Sequence, residues 1–283
     1  MSKLFYIVIL GLVFFCIYFY FCKSNNINVK PKLKIAIITS IYGNYDNLKE
    51  QKIKNKDKVD WYCFTDNTNI KNNLWNIINI PYHLQDKDND EFVKYKYHYS
   101  NIDKSKNPKI YNMMCAKYYK IKTHKIDILQ KYDYFIWVDG SVFLRPYFID
   151  KMIYNCNNYN LINFKHSERD NIKDEYEISI HMPKYNSKDL YNQYQTYITE
   201  RFPDNIGLFE NTIFARKNDN HNNTIFDKWW VHNLEYSFQD QISYPFVLWD
   251  SEAIPDLIIQ ENVFNNHNYS YVNLELMENH WKS

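Results

Sequence analysis

The sequence predicts an α/β domain built on a largely parallel sheet with helices packed on its faces. Three observations predict it. Short apolar runs of strand length alternate with longer segments of helical spacing. Several of these runs end on a carboxylate or a tyrosine–glycine pair, namely Asp66, Asp139 and Tyr42-Gly43, and open α/β sheets bind ligands beyond the carboxyl ends of their strands. Hydrophobic residues make up 45% of the chain, enough for the core such a domain requires.

Taken in order, KIAIITS (Lys34 to Ser40) reads as a buried strand followed by the loop IYGNYD. DWYCFTD (Asp60 to Asp66) and LWNIINI (Leu74 to Ile80) read as the second and third strands, and Asp86 to Asp90 as a charged turn. Pro108 to Gln130 carries helical spacing, with Met114, Tyr118, Ile121, Ile128 and Leu129 on or near one face. YDYFIWVDGSVFL (Tyr132 to Leu144) is a strand that stops on Asp139 and is followed at once by Gly140, one of only 4 glycines in the chain. A helix around Phe148 to Tyr154, a strand from Leu161 to Phe164 and the polar segment HSERDNIKDE come next. Ser187 is placed to cap a helix running to about Phe202, with Leu190, Tyr194, Tyr197 and Ile198 as its apolar stripe. Thr212 to Ala215 reads as a short strand, and Ile225 to Tyr236 and Gln239 to Leu248 as helices. No internal repeat or flexible linker interrupts the pattern.

The first residues have a different character. Leu4 to Cys22 is apolar and uncharged; at about 1.5 Å per residue it nearly matches a hydrocarbon core roughly 30 Å thick. It ends in the bulky Tyr20, Phe21 and Cys22, not in the small residues of a cleavage site. The reading is an uncleaved signal anchor over residues 1–23, a stem over 24–33 and one domain over 34–283. Lys23, Lys30, Lys32 and Lys34 follow the anchor and only Lys3 precedes it, which by the positive-inside rule points to a cytosolic domain.

Gly and Ala are scarce, while Asn, Ile, Lys and Tyr are abundant, a bias typical of AT-rich coding. Scattered Asn and Lys therefore carry little weight, including the triplets Asn222-Asn223-Thr224 and Asn268-Tyr269-Ser270 that match a glycosylation acceptor. The formal net charge of +1 leaves no basic footprint for nucleic acid. Outside the anchor, Cys63, Cys115 and Cys156 are too few and too widely spaced for a zinc site or a disulfide framework and read as packing residues.

The chemistry centres on Asp139. A carboxylate on a strand tip is held rigidly at a crevice, where it can ligate a divalent ion or accept hydrogen bonds from sugar hydroxyls. The plain alternative is a residue that ends a strand and caps a turn. Gly140 permits close approach to the backbone, and Ser141 adds a weak oxygen ligand. Lys117 and Lys120, three apart and near one helical face, are placed to neutralise a diphosphate; a solvated helix face is the alternative. In the HSERD cluster, Arg169 has the fork that clamps a phosphate, and His166 suits a phosphate or a metal. Glu210 and Arg216 bracket a strand, as an ion pair or as the acceptor side of a cleft. Trp229 and Trp230 read first as core, although a Trp face also stacks on a sugar. In FQDQIS, Asp240 is a candidate base for an attacking hydroxyl, or a carboxylate that favours a helix N-terminus, with Gln241 beside it.

The pieces IAIITSIYGNYD, CFTD, Ala116-Lys117 with Lys120, YDYFIWVDGSVFL, HSERD, GLFENTIFARKN and WW followed by FQDQIS occur in this order over about Lys34 to Trp249. In that order the chain resembles the plant mucilage-related and turgor-related glycosyltransferase-like family. The resemblance implies a GT-A-like Rossmann-type fold on a Golgi-type anchor, with the domain in the lumen, against the charge bias. It implies a nucleotide-diphosphate sugar as donor and a glycan, glycoprotein or lipid as acceptor. The donor site would comprise Tyr42, Gly43, Asp66, Lys117, Lys120, Asp139, Ser141, His166 and Arg169. Asp240 and Glu210 would be catalytic, and Arg216, Trp230 and Gln241 would face the acceptor. Any Mn2+ or Mg2+ would sit on Asp139. The usual GT-A motif reads Asp-x-Asp, and Ser141 stands in place of the second Asp. Two other functions stay open. A membrane lipid amide or ester hydrolase would need a clustered metal set or a nucleophile elbow, and neither G-x-S-x-G nor H-E-x-x-H occurs. A non-catalytic sugar-binding protein is the other.

Overall fold

The computed structural model describes residues 32–80, 108–261, 263 and 267–271. The expected anchor, most of the stem and the charged turn Asp86 to Asp90 lie outside the described residues. Among the described residues, no helix is long and apolar enough to cross a membrane.

The strands are β1 (Ile35–Ile41), β2 (Asp60–Thr65), β3 (Asn76–Asn79), β4 (Tyr134–Val138), β6 (Leu161–Lys165), β7 (Phe209–Lys217) and β8 (Leu257–Ile259). They form one 7-stranded sheet in the order β3-β2-β1-β4-β7-β6-β8. The pairs β1·β2, β1·β4, β2·β3 and β6·β8 are parallel, whereas β7 runs antiparallel to both β4 and β6. A separate two-stranded sheet joins β5 (Phe143–Leu144) to β9 (Ser270–Tyr271). Described helices are α1 (Pro108–Ile121), α2 (Phe148–Cys156), α3 (Ile172–Ser179), α4 (Ser187–Thr199), α5 (Asn220–Glu235) and α6 (Asp240–Asp250).

Alternation along each strand builds a core on each face of the sheet. Ala36 and Ile38, Tyr62 and Phe64, and Phe135 and Trp137 face α1, α5 and α6. Their neighbours Ile35 and Ile37, Trp61 and Cys63, and Tyr134, Ile136 and Val138 face α2. These strands are buried on both sides and accordingly read as unbroken apolar runs. A smaller cluster of Ile172, Leu190, Tyr197, Leu208, Ile242 and Phe246 holds α3, α4 and α6 together. Cys63, Cys115 and Cys156 are buried and none of them is in a disulfide.

Several boundaries differ from the sequence pattern. The first long helix stops at Ile121 and continues as two 3-10 turns, Thr123–Lys125 and Asp127–Leu129. The Asn186 side chain, and not Ser187, caps α4 by accepting from the N–H groups of Lys188 and Asp189. The strand expected at Thr212 to Ala215 runs the full length of β7. The polar segment after β6 contains α3, capped by Asn171. Asn222 is buried in the first turn of α5 and hydrogen-bonded to Asp219, so its triplet is not an exposed acceptor.

Gly43 is a glycine whose backbone demands it. Its φ is +63°, and a Cβ there would fall 2.0 Å from Asn112 Nδ2. Gly43→Ala is therefore expected to cost about 1–2 kcal/mol from the left-handed backbone alone. An unchanged urea midpoint would show that this loop relaxes freely.

Candidate functional site

β1 leads to β2 on one side, while β4 lies on the other side of β1. The chain order thus reverses between β1 and β4, and their carboxyl ends mark the switch point of the sheet, where ligands bind in open α/β folds. Asp139 stands at this point, one residue past β4. Its N–H donates to the Thr212 carbonyl (3.0 Å) and its own carbonyl accepts from Val142 N–H (3.1 Å), which closes the turn. Half-buried Ser141 lies within that turn. The Gln51 side chain clamps the turn's far side, donating to Val142 O and accepting from Leu144 N.

The loop after β1 lies against the same turn. At Gly140 a Cβ would meet the Ile41 side chain at 3.2 Å and Asp46 at 3.4 Å, so its missing side chain admits a neighbouring segment of the protein. Asp66 Oδ1 accepts from Gly43 N–H at 3.0 Å; this carboxylate positions the loop. Tyr42, which the resemblance assigns to the donor site, has its ring turned inward. It is buried, stacks on Tyr119 and donates to the Ile80 carbonyl at 2.9 Å.

The centre is a charge cluster. Asp240, first residue of α6, presents Oδ2 to Lys120 Nζ at 2.6 Å and to Lys117 Nζ at 3.0 Å. Lys120 Nζ also lies 3.9 Å from Asp139 Oδ1. The Trp137 indole N–H donates to the same Asp139 oxygen at 2.5 Å, while its ring lies under Lys120, 5.8 Å from centroid to Nζ. Lys120 and Asp240 form the floor, with side chains only 8% and 11% exposed; Asp139, at 37%, is the open member. Burial alone would raise Asp240, but the two ammoniums overcome it and hold the carboxyl well below the usual range. Burial pushes Asp139 up, against the pull of Lys120 and the Trp137 N–H. It lowers Lys117 to about 8, although Asp240 opposes the shift. Lys120 also pays for burial, yet Asp240 and Asp139 together bring it out above the ordinary lysine value.

A second layer supports this floor. Buried Glu175 accepts from Arg169 Nε (2.7 Å), Ser179 Oγ (2.9 Å) and Gln239 Nε2 (2.5 Å), and Gln239 immediately precedes Asp240. His166 Nδ1 accepts from the N–H groups of Glu168 and Arg169, and its Nε2 lies 3.3 Å from Arg169 Nη2. Burial keeps this imidazole below its ordinary pKa. The His166 ring is spent on its own loop, and the Arg169 fork is committed to Glu175 and Glu168. Glu210 Oε1 accepts from Ser167 N–H at 2.9 Å, and burial raises its carboxyl. Next to it Asn211 adopts a φ of +33° and donates to the Asp240 carbonyl, while its buried Oδ1 has no partner among the described residues. Strain of this kind gathers at functional sites. Gln241 also belongs here, donating to the Phe209 carbonyl at 3.4 Å.

Two acceptor-side expectations are corrected. Arg216 is 0% exposed and pairs in register with Phe135 near the start of β4. Six residues along the strand from Glu210, it stands roughly 20 Å away, at the opposite end of the sheet. Its guanidinium lies between the Phe135 and Phe226 rings and donates to Asn223 and His124. Trp230 is likewise 0% exposed, edge-on to Tyr118 in the core. A cavity of about 300 Å³ at the start of β2, lined by residues such as Lys56, Asp60 and Trp61, includes none of the predicted site residues.

The donor set does not fit a tightly held divalent ion. Among the described residues no three His, Cys, Asp or Glu side chains gather around one point, and both carboxylates at the centre already face ammonium groups. Sequence reasoning missed Glu175 and Asn211. The only signals were a carboxylate on the apolar side of a short helix, and an Asn inside a strand.

A scan against protein families and a search of curated proteins return no match for this chain.

Proposed function

We propose that this chain is a glycosyltransferase that moves a sugar from a nucleotide diphosphate to a hydroxyl of a glycan, glycoprotein or lipid. The observation that carries the reading is Asp139, a part-open carboxylate at the switch point of the sheet, flanked by the Lys117–Lys120–Asp240 cluster. The mostly parallel sheet is compatible with the GT-A-like arrangement that the sequence resemblance implies. The apolar segment Leu4–Cys22 would hold the domain at a bilayer, on the lumenal side in this reading.

In such a transfer the bond from the anomeric carbon to the diphosphate oxygen breaks, a bond to the acceptor oxygen forms, and the acceptor's proton leaves. Lys117, the more open of the two lysines, is placed to meet the departing diphosphate. Asp240 is a poor base while two ammoniums hold it. Asp139 is the more exposed of the two carboxylates, and its partly buried setting raises its basicity; it is the better acceptor for the proton on an inverting course.

The test is a thermal-shift titration of the full chain in mild detergent with uridine and guanosine diphosphates, with and without Mn2+, at pH 7 and pH 9. A rise in Tm is expected at pH 7, because ligand bound only to the folded state stabilises it. The sign of the pH effect follows from Lys117. Its charge is present below about 8 and is lost above it, so the shift shrinks at pH 9. Lys117→Arg keeps its charge and abolishes that difference. No shift with either nucleotide under any of these conditions would sink the reading.

A further inference from the structure

We propose that the Lys120 ammonium occupies the place of a divalent cation between Asp139 and Asp240, so that the site takes the donor's diphosphate without a bridging metal ion. This rests on the glycosyl-transfer reading above. Lys120 Nζ lies 2.6 Å from Asp240 Oδ2 and 3.9 Å from Asp139 Oδ1, a bridging position. A divalent ion shared by these carboxylates would have to displace that ammonium, and it would meet a second one from Lys117 on the same Asp240 oxygen. Lys120 has little room to yield. Its side chain is 8% exposed and lies over the Trp137 ring, and leaving would strip a buried carboxylate of the nearer of its two partners. Divalent ions in protein sites draw on several oxygen ligands at about 2.0–2.6 Å; here the residue two beyond Asp139 is Ser141.

The two lysines then divide the work. Lys120 is the fixed counter-charge of the floor. Lys117 shares the same Asp240 oxygen, but its side chain is twice as exposed, 16% against 8%. Once Lys120 satisfies Asp240, Lys117 is free to swing onto a phosphate and form charge-assisted hydrogen bonds. Asp139, the remaining carboxylate, faces the anion and opposes it.

Calorimetric titration of the full chain with uridine and guanosine diphosphates, in EDTA and in Mn2+, tests this. For the nucleotide that binds, the dissociation constants in the two buffers are expected to agree within about threefold. Lys117→Met is expected to weaken binding in EDTA by about tenfold or more. Asp139→Asn, which removes a repulsive charge, leaves binding unchanged or tighter. Binding that requires Mn2+ and is weakened by Asp139→Asn overturns the inference while leaving the glycosyl-transfer reading intact. Failure of both nucleotides to bind in both buffers overturns the two together.

Discussion

Asp139→Asn is expected to lower sugar-nucleotide turnover at least about a hundredfold, the scale on which a positioned acid or base contributes to a reaction. The substitution is nearly isosteric. The new amide oxygen can still accept from the Trp137 N–H, and Lys120 keeps its 2.6 Å partner in Asp240. With Asp139 more than a third exposed, the folding cost should stay near the surface-pair scale of about 0–1 kcal/mol. Fold and chemistry are thereby separated. The measurement is release of nucleotide diphosphate from sugar nucleotides, run with and without acceptor, beside a melting curve. Turnover within about threefold of wild type, on a scale where tenfold corresponds to about 1.4 kcal/mol, would remove Asp139 from the reaction.

The second large effect concerns stability. Asp240 holds two ammonium groups in a buried floor. Asp240→Asn leaves Lys117 without its counter-charge and Lys120 with only Asp139 at 3.9 Å, and breaking a buried pair from one side costs about 3–5 kcal/mol. For a domain of this size each kcal/mol lowers Tm by about 2–4 °C, so a fall on the order of 10 °C is expected. The pH dependence has a definite sign. The folded carboxyl is held below its unfolded value, so its contribution is fully present above about pH 4 and is lost as pH falls below it. The Asn variant should lack that part of the wild type's acid sensitivity. If Asp240 acted instead as a free catalytic base, the variant would lose turnover and keep its melting temperature.

How much was legible depends on the range of the interaction. The strands β1, β2, β4 and β6 could be read from short windows, because a strand buried on both faces is a largely apolar run, as IAII and YFIWV are. Asp139 could be read as a strand-tip carboxylate for the same reason. Helix α3 could not, since its capping Asn171 and charged first turn resemble a loop until Glu175 is seen to face inward. Arg216 illustrates the opposite failure. A guanidinium beside an apolar strand suggests a cleft, yet two phenylalanine rings enclose it at the far end of the sheet.

Periodicity and strand-end chemistry are local, so the class of the domain, the tips of its strands and the candidate carboxylate follow from the chain alone. What that carboxylate faces depends on packing. Lys120 and Asp240 are 120 residues apart in the chain, and no local pattern encodes their 2.6 Å contact. It exists because α1 and α6 pack on the same face of the sheet, each bringing one end to the switch point between β1 and β4. That packing turns two helix lysines and a helix-end aspartate into a buried charge cluster, while it hides Arg216 and Trp230, which the resemblance assigned to the acceptor side.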